Sequence, residues 1–494
     1  MTMSKIVGMR RRYGFLASSI GVISSAALAL APALPATAAT TARQSFAALA
    51  TAAPARASAA WVSAAPAAER AGTEAADASG STRSLPLVPF TEGRARGRSP
   101  GAASEWGLYR ADVRHFSLVG VVWDDPETEL HGSVQIRTRS AATGTWSGWQ
   151  TVDTHNADHG ADPGTAERTA GHVRGATAPL WVGDCDGVDV RVRADTGDRG
   201  QGALDPALPL PSGLRVELVD PGDEPPPAGP DPDQPDQSRT GELSEAATAA
   251  SAANAGLAPI GATEIPALDR EDTEDELFAL RGGELTTGQR VEPHVGPRPT
   301  IVTRRGWGAD ESLRADGFVY TKKVKAAFVH HTVTGNNYSC SQARSVIRSI
   351  YRYHVKSMGW RDIGYNFLVD KCGTIYEGRA GGVAKPVLGA HTMGFNSDSV
   401  GIAVIGTYSK SKPSSAAVRA VARLLAWKLG LYGMNPRGKT YLKSAGGNLY
   451  QKGKNVRLNV ISGHRDGFAT DCPGSKLYAK LGTVRKDAAR YQGR

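Results

Sequence analysis

The chain has 494 residues, of which 40% are hydrophobic, with 57 Gly and 29 Pro; that length is too great for one ordinary core, and that composition argues against a chain folded throughout. The formal net charge of +10 is unevenly spread: residues 299–494 carry 32 Lys+Arg against 10 Asp+Glu, and the remainder 26 against 38. A basic part joined to an acidic one points to a polyanionic partner for the basic part.

Residues 1–38 read as an export signal. Arg10, Arg11 and Arg12 form a positive start, an apolar stretch runs from Phe15 to about Leu34, and "ATA" at 36–38 fits a small-residue cleavage site. The alternative, a retained anchor, fits less well because Ser and Gly dilute the apolar run. No later stretch is apolar enough to span a bilayer, so no membrane span is expected after signal removal. Export permits disulfides, and Cys185, Cys340, Cys372 and Cys472 allow three full pairings between which the spacing does not choose. Outside the cell the polyanion would be cell wall or an anionic surface rather than nucleic acid.

Residues 39–104, rich in Ala, Ser, Thr and Arg, are predicted to be disordered. Residues 105–220 alternate with period two. Val134, Ile136 and Thr138 oppose Gln135, Arg137 and Arg139; Val188, Val190 and Val192 oppose Asp189, Arg191 and Arg193; Leu214, Val216 and Leu218 share one side. This pattern predicts antiparallel strands in a β-sandwich, with "FSLVGVVW" more buried than the rest. Trp146 and Trp149 of "TWSGWQ" could stack on sugars, but core packing is the expected fate. Cys185 reads as lying in a Gly-Asp turn, with no evident role. Residues 221–298 are predicted to be a linker, because "DPGDEPPPAGPDPDQPDQ" cannot pair into a sheet; its Ala-rich part could hold a short helix.

Residues 299–494 read as one α/β domain, a mainly single mixed sheet covered by helices. "VKAAFVHH" is a buried strand. A helix follows over about Ser341 to Ser357, with Ala343, Val346, Ile347, Ile350 and His354 at three- and four-residue steps. "YNFLVDKCGTIYEGR" is a hairpin turning at Gly373, and "SVGIAVIG" a second buried strand. "PSSAAVRAVARLLAWKLG" is a helix with Ser caps and a Gly430 stop, and "VRLNVISGH" a strand ending at His464. A last helix begins near Pro473.

His330 and His464 thus each close a buried strand, and Cys472 precedes a helix. In α/β sheets functional groups gather at strand ends. Two imidazoles and a thiolate form a zinc set with a fourth position open to water, the catalytic pattern. A fourth protein ligand would make the site structural, and none stands out.

Four stretches in order, "FVHHTVTG", "DIGYNFLVDKCGTIYEGR", "GAHTMGFNSDSVGIAVIG" and "GHRDGFATDCPG", resemble the N-acetylmuramoyl-L-alanine amidases of the peptidoglycan recognition protein family, which also includes phage lysozyme-type amidases. The resemblance covers roughly residues 300–490. The β region is similar to one that precedes such domains in secreted actinobacterial proteins. The resemblance implies zinc held by His330, His464 and Cys472, with His331 a packing or hydrogen-bonding residue, since strand neighbours face opposite sides. It implies that Tyr365 faces the metal, where a phenol positions water or stabilises an oxyanion. Thr470 stands where phage-type members carry Lys and offers a hydroxyl without charge. Ala403 stands where a distant branch carries Glu, which leaves that work to Tyr365. It implies that His391 lies near a substrate groove in a binding rather than a ligating role; Asn396 and Arg379 either line the same groove or brace loops. Cys340 and Cys372 bracket the helix and the hairpin, and a disulfide between them is expected in an exported protein.

The implied reaction is zinc-dependent hydrolysis of the amide between N-acetylmuramic acid and L-alanine in peptidoglycan. The implied protein is a secreted or wall-associated monomer that touches peptidoglycan and possible anionic wall polymers. The alternative is a non-catalytic peptidoglycan-binding recognition protein; retention of Cys472 and Tyr365 favours the enzyme.

Overall fold

The computed structural model describes residues 80–90, 105–154, 156–195, 209–223 and 243–494. The predicted export signal and most of the predicted disordered segment lie outside them. Among the described residues no helix is long and apolar enough to cross a membrane.

The N-terminal strands are β1 (Ser81–Pro86), β2 (Val88–Pro89), β3 (Glu105–Arg110), β4 (Phe116–Trp123), β5 (Gly132–Ser140), β6 (Gln150–Val152), β7 (Gly175–Ala176), β8 (Leu180–Ala194) and β9 (Arg215–Asp220). They form a sandwich from one sheet folded on itself. The 15-residue β8 passes through both leaves: its start pairs with β4, its end with β3 and β5. The alternation read from sequence fills the interior with Val134, Ile136, Val188, Val190, Val192, Leu214, Val216 and Leu218. Cys185 lies on β8 and is buried in this core as a free thiol, not in a turn.

Two expectations are corrected here. Part of the segment predicted to be disordered is ordered, because β1 runs antiparallel along β9 from Ser81↔Asp220 to Pro86↔Arg215. Its backbone bonds come from a partner more than a hundred residues away, which local composition does not reveal. Trp146 and Trp149 are not core residues. Trp146 is 37% exposed, and the Arg137 guanidinium stacks near both rings, 5.2 and 4.9 Å from their centroids, with Arg191 3.9 Å from Trp149. The outward arginines of β5 and β8 hold them on the outer face.

The predicted linker is also corrected. Helices Glu245–Ala252, Arg270–Arg281 and Thr287–Val291 lie within it, capped by Ser244, Asp269 and Thr286. Only its Ala-rich part was expected to be helical. Strand β10 (Glu264–Ile265) joins the C-terminal sheet, and Ile265, Leu277 and Val295 are buried in that core.

The remaining strands are β11 (Ile301–Val302), β12 (Ala326–His331), β13 (Phe367–Val369), β14 (Ile375–Glu377), β15 (Ser399–Val404), β16 (Lys439–Lys443), β17 (Asn455–Asn459) and β18 (Ile461–Gly463). Seven form a mixed sheet in the order β10-β11-β14-β13-β15-β12-β18, with β12 parallel to both neighbours. Helices Ser415–Gly430 and Leu481–Tyr491 pack with Val329, Phe367, Ile402 and Ile461 on one face. Helix Ala343–Arg352, continued by a π turn to Ser357, packs with Leu368 and Ala403 on the other. The predicted single strand "VRLNVISGH" breaks at Val460. Its N–H bonds to Gly438 while its carbonyl accepts from Ala327, so the chain changes partners there and β17 leaves to pair with β16. Cys340 and Cys372 form a disulfide with Cα atoms 6.2 Å apart, tying the start of the helix to the hairpin.

Helix Ala343–Arg352 is buried on every side, more than its amphipathic pattern predicts. The sandwich covers its second face. Leu118 and Val122 of β4 and Val219 of β9 point out of the sandwich and join one core with Val346, Ile347, Ile350 and Tyr353. The Tyr353 hydroxyl donates to the Thr177 carbonyl at 3.0 Å. Its ring lies so close to Gly120 that a β-carbon there would fall 2.3 Å from the hydroxyl.

Candidate metal centre

The parallel register of β12 and β18 opposes Val329 to Gly463. The next residues, His330 and His464, therefore leave the same sheet edge side by side, with ring centroids 4.6 Å apart. The loop after His464 returns Cys472, whose Sγ lies 3.7 Å from His330 Nδ1. All three side chains are buried. The alternation of β12 sends His331 to the opposite face, where its Nδ1 accepts the N–H of Tyr408 at 3.1 Å.

A fourth group completes the cluster. His159, on the short turn Ala157–His159 after β6, enters from the sandwich. Its ligand atom and those of His330, His464 and Cys472 all lie within 4.8 Å of one another. No fourth protein ligand stands out in the sequence; the structure brings a fourth candidate, His159, to the cluster. Nothing in the pattern around His159 marks it as a site residue: it sits in a Gly/Asp-rich loop, 171 positions before His330. The nearest signal was a buried Asp-His pair in a segment with no apolar period.

The donor set fits a zinc ion. His159 Nε2 and both ring nitrogens of His464 are buried without a hydrogen-bond partner, an arrangement that is costly unless a cation takes one lone pair from each ring. The other nitrogens are held as ligand-orienting groups hold them. Asp158 Oδ1 lies 2.8 Å from His159 Nδ1, and Thr392 Oγ1 3.3 Å from His330 Nε2. Burial keeps the imidazoles of His330 and His464 neutral, the latter pushed down to about 3. Burial works against charge on His159 too, but the Asp158 carboxylate outweighs it and holds that imidazole well above its ordinary value. Burial pushes the Cys472 thiol up, so a thiolate there needs a bound cation.

Tyr365 is buried against this group, its ring centroid 5.6 Å from that of His330 and 6.0 Å from that of His159. Burial pushes its phenol up to about 12, which keeps the proton available for donation. The Thr470 hydroxyl accepts the N–H of Cys472 at 3.2 Å. It lines a cavity of about 570 Å³ shared with Trp123, Leu130, Asp158, Asn448 and Phe468. Ala403 lies opposite His330 in the strand register and offers no functional group.

The three residues expected to line a substrate groove are covered. His391 is fully buried, with its ring 5.3 Å from that of His330 and its Nδ1 3.0 Å from Thr392 Oγ1. Asn396 Nδ2 donates to Asp162 Oδ1 at 2.7 Å and to the Gly160 carbonyl at 3.0 Å. Arg379 makes a two-pronged, buried pair with Glu167, at 2.9 and 2.7 Å. Both carboxylates and the carbonyl belong to the sandwich segment that carries His159. All three side chains are buried, and Asn396 and Arg379 brace the 156–168 segment, which the sequence does not show to pack here.

Residues 320–475 match the N-acetylmuramoyl-L-alanine amidase family, and residues 66–210 match the family described as Rv3811 N-terminal galactose-binding domain-like. Peptidoglycan-recognition protein SC2 of Drosophila melanogaster is 30% identical over 186 residues, spanning 37% of this chain and 85% of that protein. Peptidoglycan-recognition protein SA of Drosophila melanogaster is 37% identical over 129 residues, spanning 26% and 60%. The N-acetylmuramoyl-L-alanine amidase of Homo sapiens is 33% identical over 190 residues, 37% of this chain and 28% of that protein. Through its α/β domain, the chain belongs to the family of peptidoglycan recognition proteins and N-acetylmuramoyl-L-alanine amidases.

Proposed function

We propose that this protein is a zinc-dependent N-acetylmuramoyl-L-alanine amidase that hydrolyses the amide between N-acetylmuramic acid and L-alanine in peptidoglycan. The observation that carries the reading is the convergence of His330, His464 and Cys472 beside a buried, protonated Tyr365. In this reading His330, His464 and Cys472 hold the ion, Tyr365 and Thr470 are the catalytic donors, and the α/β unit acts within boundaries near 299–494. Its excess of Lys and Arg holds it on an anionic wall after export.

A zinc ion at this place supplies Lewis-acid polarisation of a carbonyl and activation of water. The protein does the rest. The dry walls around His330 and His464 strengthen every charge interaction at the reacting carbonyl. The Tyr365 phenol donates a hydrogen bond to the oxygen on which charge develops. The Thr470 hydroxyl, at the mouth of the cavity, adds a second neutral donor. With no Lys at position 470 and no Glu at 403, proton movement falls to Tyr365.

The test compares the zinc-loaded chain with its Cys472→Ala variant on purified peptidoglycan. New N-terminal alanine with intact disaccharides is expected, at the parent's basal rate, from the first alone. Equal release from both would overturn the ligand set. Tight binding with no release from any variant of the chain would replace the reading by non-catalytic peptidoglycan recognition.

A further inference from the structure

We infer that the folded chain is a latent form, in which residues 156–168 of the sandwich close the metal centre with His159 as fourth ligand and occupy the substrate groove. This rests on the amidase reading for what is blocked, but not for the coordination itself.

Three features of this one segment point the same way. His159 Nε2 is buried, has no hydrogen-bond partner and sits within ligand distance of the cluster. Its Nδ1 is fixed by the carboxylate of its own neighbour, Asp158, which is how proteins orient a metal-bound imidazole. Asp162 and Glu167 then engage Asn396 and Arg379, the two groups that the amidase reading assigns to substrate binding. Met393 N–H donates to the Asp158 carbonyl at 2.9 Å, closing the space between them. Three imidazoles and one thiolate fill a tetrahedral zinc, and a filled shell leaves no position for water.

The latch can open without separating the domains. It is held to the α/β domain mainly by polar and ionic contacts, which a polar ligand or water replaces one for one. The apolar core around Ile350 and Tyr353 takes Leu118, Val122 and Val219 from strands of the sandwich and only Ala161 from the latch. Arg168 Nε donates to Glu127 at 2.7 Å, so a lifted segment stays tethered to its own sandwich. Release is therefore a local movement of one loop, driven by whatever competes for Asn396, Arg379 and the metal.

The experiment uses the full chain loaded with cobalt(II) in place of zinc, its His159→Ala variant, and a double variant, Asp162→Ala with Glu167→Ala, that leaves every ligand in place. The visible spectrum of the ion is titrated with azide, zinc affinity is measured by chelator competition, and alanine release from peptidoglycan is followed in parallel. The expected result is an azide-insensitive spectrum for the parent and an azide-dependent one for both variants. Zinc should be held ~10- to 100-fold more weakly after His159→Ala, a range seen even for loss of a group that only orients a ligand. Alanine release should rise at least about tenfold in the double variant, which keeps all four ligand side chains and only frees the loop that brings His159 to the centre. A parent that binds azide as the variants do overturns the latch; if that parent also releases alanine, the amidase reading survives. A parent closed to azide and variants open to it, with no release from any of them, upholds the fourth ligand and overturns the amidase reading.

Discussion

The sandwich meets the α/β domain in two places made of opposite materials. Along β4 and β9 the contact is apolar, with Leu118, Val122 and Val219 against Val346, Ile350 and Tyr353. Over the candidate metal centre it is polar, with Glu167 on Arg379, Asp162 on Asn396 and His159 within the cluster that could hold an ion. Apolar burial has no substitute in water and stays closed. Buried ion pairs contribute little net stability but select one arrangement, and a competing ligand can replace them. One contact is a joint and the other a catch.

That contrast can be broken at each end. The largest effect is expected from Cys472→Ala, which removes the thiolate and leaves three imidazoles: zinc should be held far more weakly in chelator competition, and cleavage should disappear. Next is Ile350→Ala in the apolar seam, expected to cost about 2–5 kcal/mol in urea unfolding while metal content stays at one per chain. Tyr365→Phe leaves both contacts and the metal intact; it should lower the cleavage rate of the latch-opened chain by about 10²-fold, visible in kcat rather than KM. The smallest effect belongs to Glu167→Gln, which keeps hydrogen bonds to Arg379. It should shift global unfolding by about 1 kcal/mol or less and yet speed hydrogen exchange in residues 156–168 over the rest of the sandwich.

The same division separates what the sequence revealed from what it hid. Strand alternation gave the inward valines of β5 and β8, because one face of a strand writes its own pattern. The strand ends at His330 and His464 followed from apolar runs, and Cys472 from its place before a helix. His159 was invisible because a ligand contributed across an interface needs no local periodicity. The helices of residues 245–291 were masked by an acidic, Pro-rich neighbour, although their caps, Ser244, Asp269 and Thr286, are plain in hindsight. Trp146 and Trp149 were assigned to a core because indoles are mostly buried; the arginines at 137 and 191 that hold them outside come from other strands. Full burial of helix Ala343–Arg352 could not be read from its amphipathic pattern, because the second covering surface lies on β4 and β9.

His330 and His464 are wholly shielded from solvent behind residues 156–168. An ion seated between them can come and go only while that loop is raised. Metal uptake and loss should then share one rate, set by the loop and independent of chelator concentration once the chelator is in excess.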